Sequence, residues 1–574
     1  MDFEELCTVY EELEKTSSGN AMREILSNFF KKSNGEDIRV IAYLTLGRIA
    51  SDYDDVELGF AEKSVIKAIA QASGQSPSKV AEVLNKTGDI GLTAEQILQK
   101  KPKTLVPVGK LTIQELFEKL HKISQSEGKG SQETKTIILS TLLQKTSPSA
   151  AKYVTRIVLG MLRLGVGDMT ILDALSIAYT GSKEKKEELE HAYNICPDVG
   201  IIAQTIATKG MNAVAKIDVH VGRPIKMMLA QRVEELDEIS EKISGKFSVE
   251  GKYDGERVQA HKSKSGKIFL FSRRLENITS QFPDLVIYLN KNIKAKEFVL
   301  EGEILAIDEK GHPLPFQTLM QRRRKYDVEE YSKKVPIQLK AFDLLYVDEE
   351  SYLHKSYEER TEKLRKIIHD DKHLTFAERI ITDDLEKVET FFQTMLKEGY
   401  EGIIIKSLSG EYQAGTRGWN WIKWKKEYVQ DLVDTFDLVV VGGFHGRGRR
   451  SGVYGALLCA SYNPKKDLFE TVCKVGTGFS DEVLEKIPPL FKKYLIEKKP
   501  ARISVGKEME PDVWFEPAIV IEVLAAEITQ SPMHTCADGL ALRFPRFIRF
   551  RDDKKAEQAT TSQEIKQMSE KKKS

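Results

Sequence analysis

From the first residue to about 215, apolar side chains recur every three to four positions. The stretches Glu36-Asp-Ile-Arg-Val-Ile-Ala-Tyr-Leu-Thr-Leu-Gly47 and Ser149-Ala-Ala-Lys-Tyr-Val-Thr-Arg-Ile-Val-Leu-Gly160 show it best. That period draws the one-sided stripe of an amphipathic helix. Polar, glycine-bearing breaks at Ser73-Gly-Gln-Ser-Pro77, Glu127-Gly-Lys-Gly-Ser131 and Gly181-Ser182 separate such helices. The pattern changes near Val221-Gly-Arg-Pro224. Up to about residue 425, short apolar or alternating runs predict strands at 246–249, 258–262, 268–272, 298–307, 335–347 and 402–406. Helices are predicted between them at 357–369 and 383–397, which makes this an α+β region with a mostly antiparallel core.

Beyond about residue 430 strands dominate, at 438–444, 455–462, 470–475 and 519–528. Their number and length suit a small five-stranded barrel, an OB-fold first among candidates. The chain is thus read as multidomain: an all-α region over 1–215, an α+β domain over 216–428 and an all-β barrel over 429–555. A polar tail over 556–574, ending in Lys571-Lys-Lys573, is expected to fray. No fixed-period repeat is present.

Composition narrows the class. Of 574 residues, 41% are hydrophobic and 30% charged, the balance of an ordinary folded protein. The 87 basic and 86 acidic residues nearly cancel, which argues against indiscriminate coating of nucleic acid but leaves room for one cationic face. Cys7, Cys196, Cys459, Cys473 and Cys536 are scattered and odd in number, so they read as reduced thiols. No apolar run approaches the ~18 residues of a membrane span and no leader opens the chain. A soluble, cytoplasmic protein is expected, with no membrane partner.

The chemistry starts at Glu250-Gly-Lys-Tyr-Asp-Gly-Glu-Arg257. It sets Lys252 on a glycine-flanked exit from a predicted strand, with Asp254, Glu256 and Arg257 close by. Permissive backbone and surrounding charge make Lys252 a candidate covalent nucleophile. Further on come Ser272-Arg-Arg-Leu-Glu-Asn277, Leu300-Glu-Gly-Glu303, Ala341-Phe-Asp-Leu-Leu-Tyr346, Glu401-Gly-Ile-Ile-Ile-Lys406, Trp419-Asn-Trp-Ile-Lys-Trp-Lys-Lys426 and Arg543-Phe-Pro-Arg-Phe-Ile-Arg-Phe-Arg-Asp-Asp-Lys554. Period-2 geometry puts Glu301 and Glu303 on one strand face, and Lys423 and Lys425 likewise.

Those segments, in that order, resemble the covalent nucleotidyltransferases. With Gly88-Asp-Ile-Gly91, Arg163-Leu-Gly165 and Arg223-Pro-Ile-Lys-Met-Met-Leu-Ala230, the resemblance extends from about residue 40 to 560. It is to ATP-dependent DNA ligases of the archaeal and eukaryotic replicative type. The resemblance implies a helical DNA-binding domain, an adenylation domain and an OB-fold domain, acting on nicked double-stranded DNA in replication, repair and recombination. It implies that Lys252 takes the adenylate from ATP, that Phe342 stacks on the purine, and that Arg273 contacts sugar or DNA phosphate. Glu303 maps onto the metal-linked acid; Glu401 is the second acid expected to hold Mg²⁺, with Mn²⁺ as an alternative. Glu250 is placed to accept from the adenine amino group, while Arg257, Arg417, Lys423 and Lys425 neutralise charge. Arg549, Arg551 and Lys554 are expected near the pyrophosphate in the first step, with a hinge at 426–434. A sliding clamp of the PCNA kind is the expected partner of a monomeric enzyme.

A lysine amine, with an ordinary pKa of ~10.4, must be brought to ~7.4 to attack at neutral pH, roughly 4 kcal/mol at about 1.4 per unit. One cation at ~4 Å in an effective dielectric of ~20 supplies about that much.

Other readings compete at single sites. Glu301 reads as an exposed strand residue and the tryptophans at 419–424 as hinge packing. His369 and His373 read as a solvated helix face. Gly442-Gly-Phe-His-Gly-Arg-Gly-Arg-Arg450 lacks the phosphate-loop spacing and suits a basic loop gripping DNA through Arg449 and Arg450. Arg23-Glu-Ile-Leu-Ser-Asn-Phe-Phe30 faintly matches clamp-docking peptides but suits a helix core equally. An RNA ligase or capping guanylyltransferase shares the chemistry but not the long helical region. A non-catalytic nick-binding scaffold is the reading from another class, and the complete set of charged residues speaks against it.

Overall fold

The computed structural model describes residues 1–99, 110–128, 130–162, 164–233, 235–322, 328–425, 434–446 and 453–571. These form two compact units, Met1–Lys425 and Lys426–Ser574.

The first unit opens with helices, from Phe3–Glu14 to Met211–Val214, and no strand precedes Leu229 among the described residues. Local chemistry starts several of them. Ser76 and Ser147 each cap a helix whose next residue is proline, so an orphan N–H is satisfied and another is removed. Helix Ile90–Leu98 approaches helix Pro148–Val158 closely at Gly91, where a Cβ would lie 2.8 Å from the Lys152 carbonyl. The helices enclose one apolar core. Leu26, Phe29 and Phe30 belong to it, so the faint clamp-docking segment is core packing and cannot dock while folded.

Two mostly antiparallel sheets follow, built from β1 (Leu229–Arg232), β2 (Phe247–Lys252), β3 (Glu256–Lys262), β4 (Ile268–Ser272), β5 (Phe298–Ala306), β6 (Ile337–Val347), β7 (Glu350–Ser351), β8 (Leu374–Phe376), β9 (Arg379–Thr382), β10 (Gly402–Ser407) and β11 (Arg417–Lys425). One sheet has the order β1-β11-β10-β2-β9, with β1 parallel to β11; the other runs β4-β3-β5-β6-β7, with β8 parallel to β6. Helices Pro283–Asn292 and Tyr357–Ile367 pack on the second sheet through Leu285, Leu289, Leu364 and Ile367. The expected change of architecture at 215 is not a break in packing. Ile195 of the helical region shares a core with Ile225, Met228, Val299 and Trp421, and the Lys226 N–H donates to the Asn194 carbonyl at 2.8 Å.

The second unit is an OB-fold-like half-barrel. Strand Asp434–His445 pairs with Tyr454–Asn463 on one edge. On its other edge it pairs with Val520–Ala525 and then, at Gly442 and Gly443, with Val513–Phe515. The sheet curls until Thr477 bridges Arg546, where the Phe547 N–H donates to the Thr477 carbonyl at 2.9 Å. Helix Asp481–Phe491 fills the open side with Leu484, Ile487 and Phe491.

Two expectations fail. The described part of the tail does not fray: Ser562–Lys571 is a helix that buries Ile565 against the barrel core. His369 and His373 do not share a helix, which ends at Ile367; His373 stacks on Tyr288 and meets the Ile337 carbonyl at 3.1 Å. Of the hinge expected over 426–434, residues 426–433 lie outside the described residues, as do Arg163 and the loop holding Arg449 and Arg450.

Candidate functional site

A cleft of about 490 Å³ lies between the two sheets, and strand register dictates its lining. On the first sheet β10 sits between β2 and β11, giving three rows: Lys252–Gly402–Lys425, Glu250–Ile404–Lys423 and Ser248–Lys406–Trp421. Period-2 alternation turns all three rows to one face, and every member except Gly402 and Ser248 lines the cleft. Gly402 permits the first row. Its φ is +149° and a Cβ there would lie 2.3 Å from the Trp424 carbonyl, so no side chain separates Lys252 from Lys425.

The second sheet supplies the opposite wall. Arg257 on β3 is registered with Glu303 on β5, which is registered with Lys340 on β6. Phe342 on β6, Arg273 and Arg274 after β4, and Arg417 at the start of β11 complete the lining. All nine residues expected to bind nucleotide or metal, besides Lys252, therefore face one cavity: Glu250, Arg257, Arg273, Glu303, Phe342, Glu401, Arg417, Lys423 and Lys425.

The cleft is polarised along its length. At one end the Lys252 ammonium donates to Glu401, which also accepts from Lys425 at 2.9 Å. Burial alone would raise the Glu401 pKa, but the two ammonium groups outweigh it and hold the carboxyl below its ordinary range. Glu303 has no such direct partner. Burial raises its pKa to about 7, with Lys252 and Arg257 opposing and Glu401 adding to the rise. Burial, Lys425, Arg417, Lys252 and Arg273 all lower the pKa of Lys423, which marks a concentration of cations. Such a concentration suits a polyphosphate.

At the other end the wall is aromatic. The Lys406 Nζ lies 4.4 Å from the centre of the Phe342 ring, 4.5 Å from Trp421 and 4.7 Å from Tyr357. It donates to Glu250 at 2.7 Å, and Glu250 also accepts from Tyr357 and, at 2.9 Å, from Ser248. Phe342 and Trp421 meet edge to face at 6.1 Å, and both rings line this end of the cleft, where a planar base could pack.

Arg257 is more structural than expected. Its guanidinium donates to the Met228 carbonyl at 2.8 Å and to Glu301 at 2.7 Å, while its Nε has no partner. Glu301 is fully buried, not exposed: Gln259 and Tyr412 also donate to it. The tryptophans divide, with Trp421 on the cleft wall, Trp424 packed on Phe392, and Trp419 exposed under Lys242. Residue pattern alone does not mark Lys406, Tyr357 and Trp421 as site residues. For Lys406 the signal was its even spacing from Gly402 and Ile404, which fixes its face once the register is known.

In the second unit the basic run is paired internally. Arg551 meets Asp437 at 2.7 Å and Asp553 at 2.8 Å, Lys554 meets Asp437 at 2.6 Å, and Arg549 meets Glu522 at 2.7 Å.

Residues 2–176 match the family model described as DNA ligase N terminus, residues 227–425 the ATP dependent DNA ligase domain, and residues 450–554 the ATP dependent DNA ligase C terminal region. DNA ligase 2 of Thermofilum pendens is 48% identical, over 98% of this chain and 96% of that protein. A DNA ligase of Staphylothermus marinus is 47% identical, over 99% and 98%. The solved structure described as Pmar-Lig_Pre has the same fold at 18% identity, with a TM-score of 0.56 over 95% of this chain and 99% of that one. Among the described residues no helix is long and apolar enough to cross a membrane. With three ligase segments in order and relatives of this identity along the whole length, the chain belongs to the ATP-dependent DNA ligases of the archaeal and eukaryotic replicative type, which seal nicks in duplex DNA through covalent adenylylation.

Proposed function

We propose that Lys252 is the residue adenylylated, and that the cleft holds ATP with its base at the Phe342–Trp421 end and its phosphates among Lys423, Lys425, Arg273 and Arg417. The observation that carries this is the row Lys252–Gly402–Lys425, which sets the amine beside a second ammonium and a carboxylate at the cationic end of the cleft. Separating Lys252 from Glu401 frees the amine, which then loses a proton. Its nitrogen attacks the α-phosphorus, the bond to the bridging oxygen breaks, and pyrophosphate leaves. The adenylate held on Lys252 next passes to the 5′-phosphate of the nick. The 3′-hydroxyl attacks that phosphate and releases AMP. Lys423 and Lys425 act here by position and charge, which carry most of a phosphoryl transfer.

A nucleotide and a divalent metal belong to the family's chemistry, and the residues present fit Mg²⁺. No group of three or more His, Cys, Asp or Glu gathers among the described residues, so Glu303 and Glu401 would leave most positions to water and phosphate oxygens. Mg²⁺ is commonly bound that way. The Glu303 carboxyl, pushed up to about 7, is short of positive charge. The bound ion would supply charge neutralisation at the phosphates. The sliding clamp and the monomeric state rest on the resemblance.

Incubation with ATP and Mg²⁺ should add one adenylate to the protein, and Lys252→Ala should abolish that adduct and the sealing of a 5′-phosphorylated nick. An adduct of unchanged yield in Lys252→Ala would remove the proposed nucleophile.

A further inference from the structure

We propose that Lys406 is a specificity-determining residue: it fixes Glu250 as a pure hydrogen-bond acceptor at the aromatic end of the cleft, so that a purine with a 6-amino group is taken and one with a 6-carbonyl is refused. This rests on the reading that the cleft holds a nucleotide with its base at that end.

The hydrogen-bond inventory leads there. An ionised carboxylate offers about four lone-pair sites. The Glu250 Oε1 uses two, accepting from Tyr357 and from Ser248, and Oε2 uses one, accepting from the Lys406 ammonium. One site on Oε2 remains, on a residue that lines the cleft. The neighbouring hydroxyl is committed as well: Tyr357 donates to Glu250 and lies 3.0 Å from the Phe342 carbonyl, while the Lys406 Nζ donates to it at 3.1 Å. The open position can therefore accept an N–H but has none to give.

Lys406 sets that polarity. Its side chain and that of Glu250 are each 3% exposed, and the ammonium is enclosed by Phe342, Tyr357 and Trp421. A carboxylate so far from water stays charged only with a cation against it. Without Lys406 the carboxylate loses the cation that holds it in place, and its orientation at the open position is no longer fixed. The same ammonium lies against the rings that form the base wall, so base stacking and base polarity are set by one side chain. Sites built around a buried hydrogen-bonding group reject the mismatched analogue strongly because that group is left unpaired.

The probes are ATP and inosine triphosphate, which differ at the purine 6-position, an amino group in one and a carbonyl in the other. Adduct formation with Mg²⁺ is followed by intact mass against nucleotide concentration, giving kcat and KM for each. The wild-type protein should prefer ATP strongly. In Lys406→Met the preference should fall at least tenfold, mainly through KM, and Lys406→Arg should restore most of it. A Lys406→Met protein that forms the adduct with the wild-type preference, to within twofold, overturns the proposal. Where Lys406→Met does not fold, the double variant Glu250→Gln, Lys406→Met leaves no charge unpaired and can donate from its amide. It should favour inosine triphosphate relative to wild type, and an unchanged preference again overturns the proposal. Failure of the wild type to form an adduct with either nucleotide would instead remove the underlying reading of the cleft.

Discussion

The cleft contains two lysine–glutamate pairs that are alike in chemistry and opposite in setting. Lys406–Glu250 sits at the aromatic end with both side chains 3% exposed; Lys252–Glu401 sits at the cationic end at 23% and 26%. A fully buried pair is fixed, because removing either partner strands a charge away from water. A pair at a quarter exposure is worth little and is exchanged readily for a ligand's charges. Under the proposed function, the first belongs to the scaffold that reads the base and the second is a resting contact that opens for chemistry. On that reading it is burial, not residue type, that sets the two pairs apart.

Four substitutions sharpen or break that contrast. Lys252→Ala should lower adduct formation by more than about 10³-fold while changing the unfolding free energy by less than about 1 kcal/mol, as expected for a partly exposed ion pair. A large loss of stability would mean the pair is structural. Lys406→Met should do the reverse, costing roughly 3–5 kcal/mol in denaturant unfolding because Glu250 is left uncompensated. A cost below about 1 kcal/mol would erase the difference between the two ends. Lys425→Ala should slow adduct formation by about 10²-fold, the scale for one preorganised charge, and leave the choice between ATP and inosine triphosphate unchanged. A change in that choice would show the ends to be coupled.

The smallest effect concerns Glu303. Its folded pKa of about 7 lies above an ordinary value near 4.5, so the folded state binds more protons between them. Stability of the metal-free protein should therefore fall as pH rises through that window, by at most about 3 kcal/mol from this group. Glu303→Gln should remove that share: more stable than wild type at pH 8 in chelator, and no more stable at pH 5. Chemical denaturation at the two pH values checks it, and equal stabilities at pH 8 would contradict the burial argument.

Much of this arrangement was legible in the sequence, for reasons that differ by residue. Ile268–Ser272 emerged with the expected bounds because apolar residues and turn signals frame it on both sides. The set around Lys252 was legible because each segment keeps its own residue pattern, and register brings the patterns together. Glu301 was misjudged because its partners Arg257, Gln259 and Tyr412 come from other strands or from far along the chain. Lys406 was missed as a site residue for the same reason: a lysine closing an apolar run looks like a strand leaving the core. Helix Ser562–Lys571 was hidden by composition, since among its residues only Ile565 and Met568 are apolar and the barrel surface that receives them lies far upstream. The division of roles between the two ends of the cleft became visible only with burial, which residue types alone do not encode.

The central claim is that one amine, Lys252, carries the adenylate. Trypsin digestion of the protein after incubation with ATP and Mg²⁺, followed by fragmentation mass spectrometry, locates the adduct directly. A single adenylate on the peptide Phe247–Arg257, with cleavage after Lys252 blocked, is the predicted result. An adenylate on any other lysine, with the peptides around Lys252 unmodified, would contradict it.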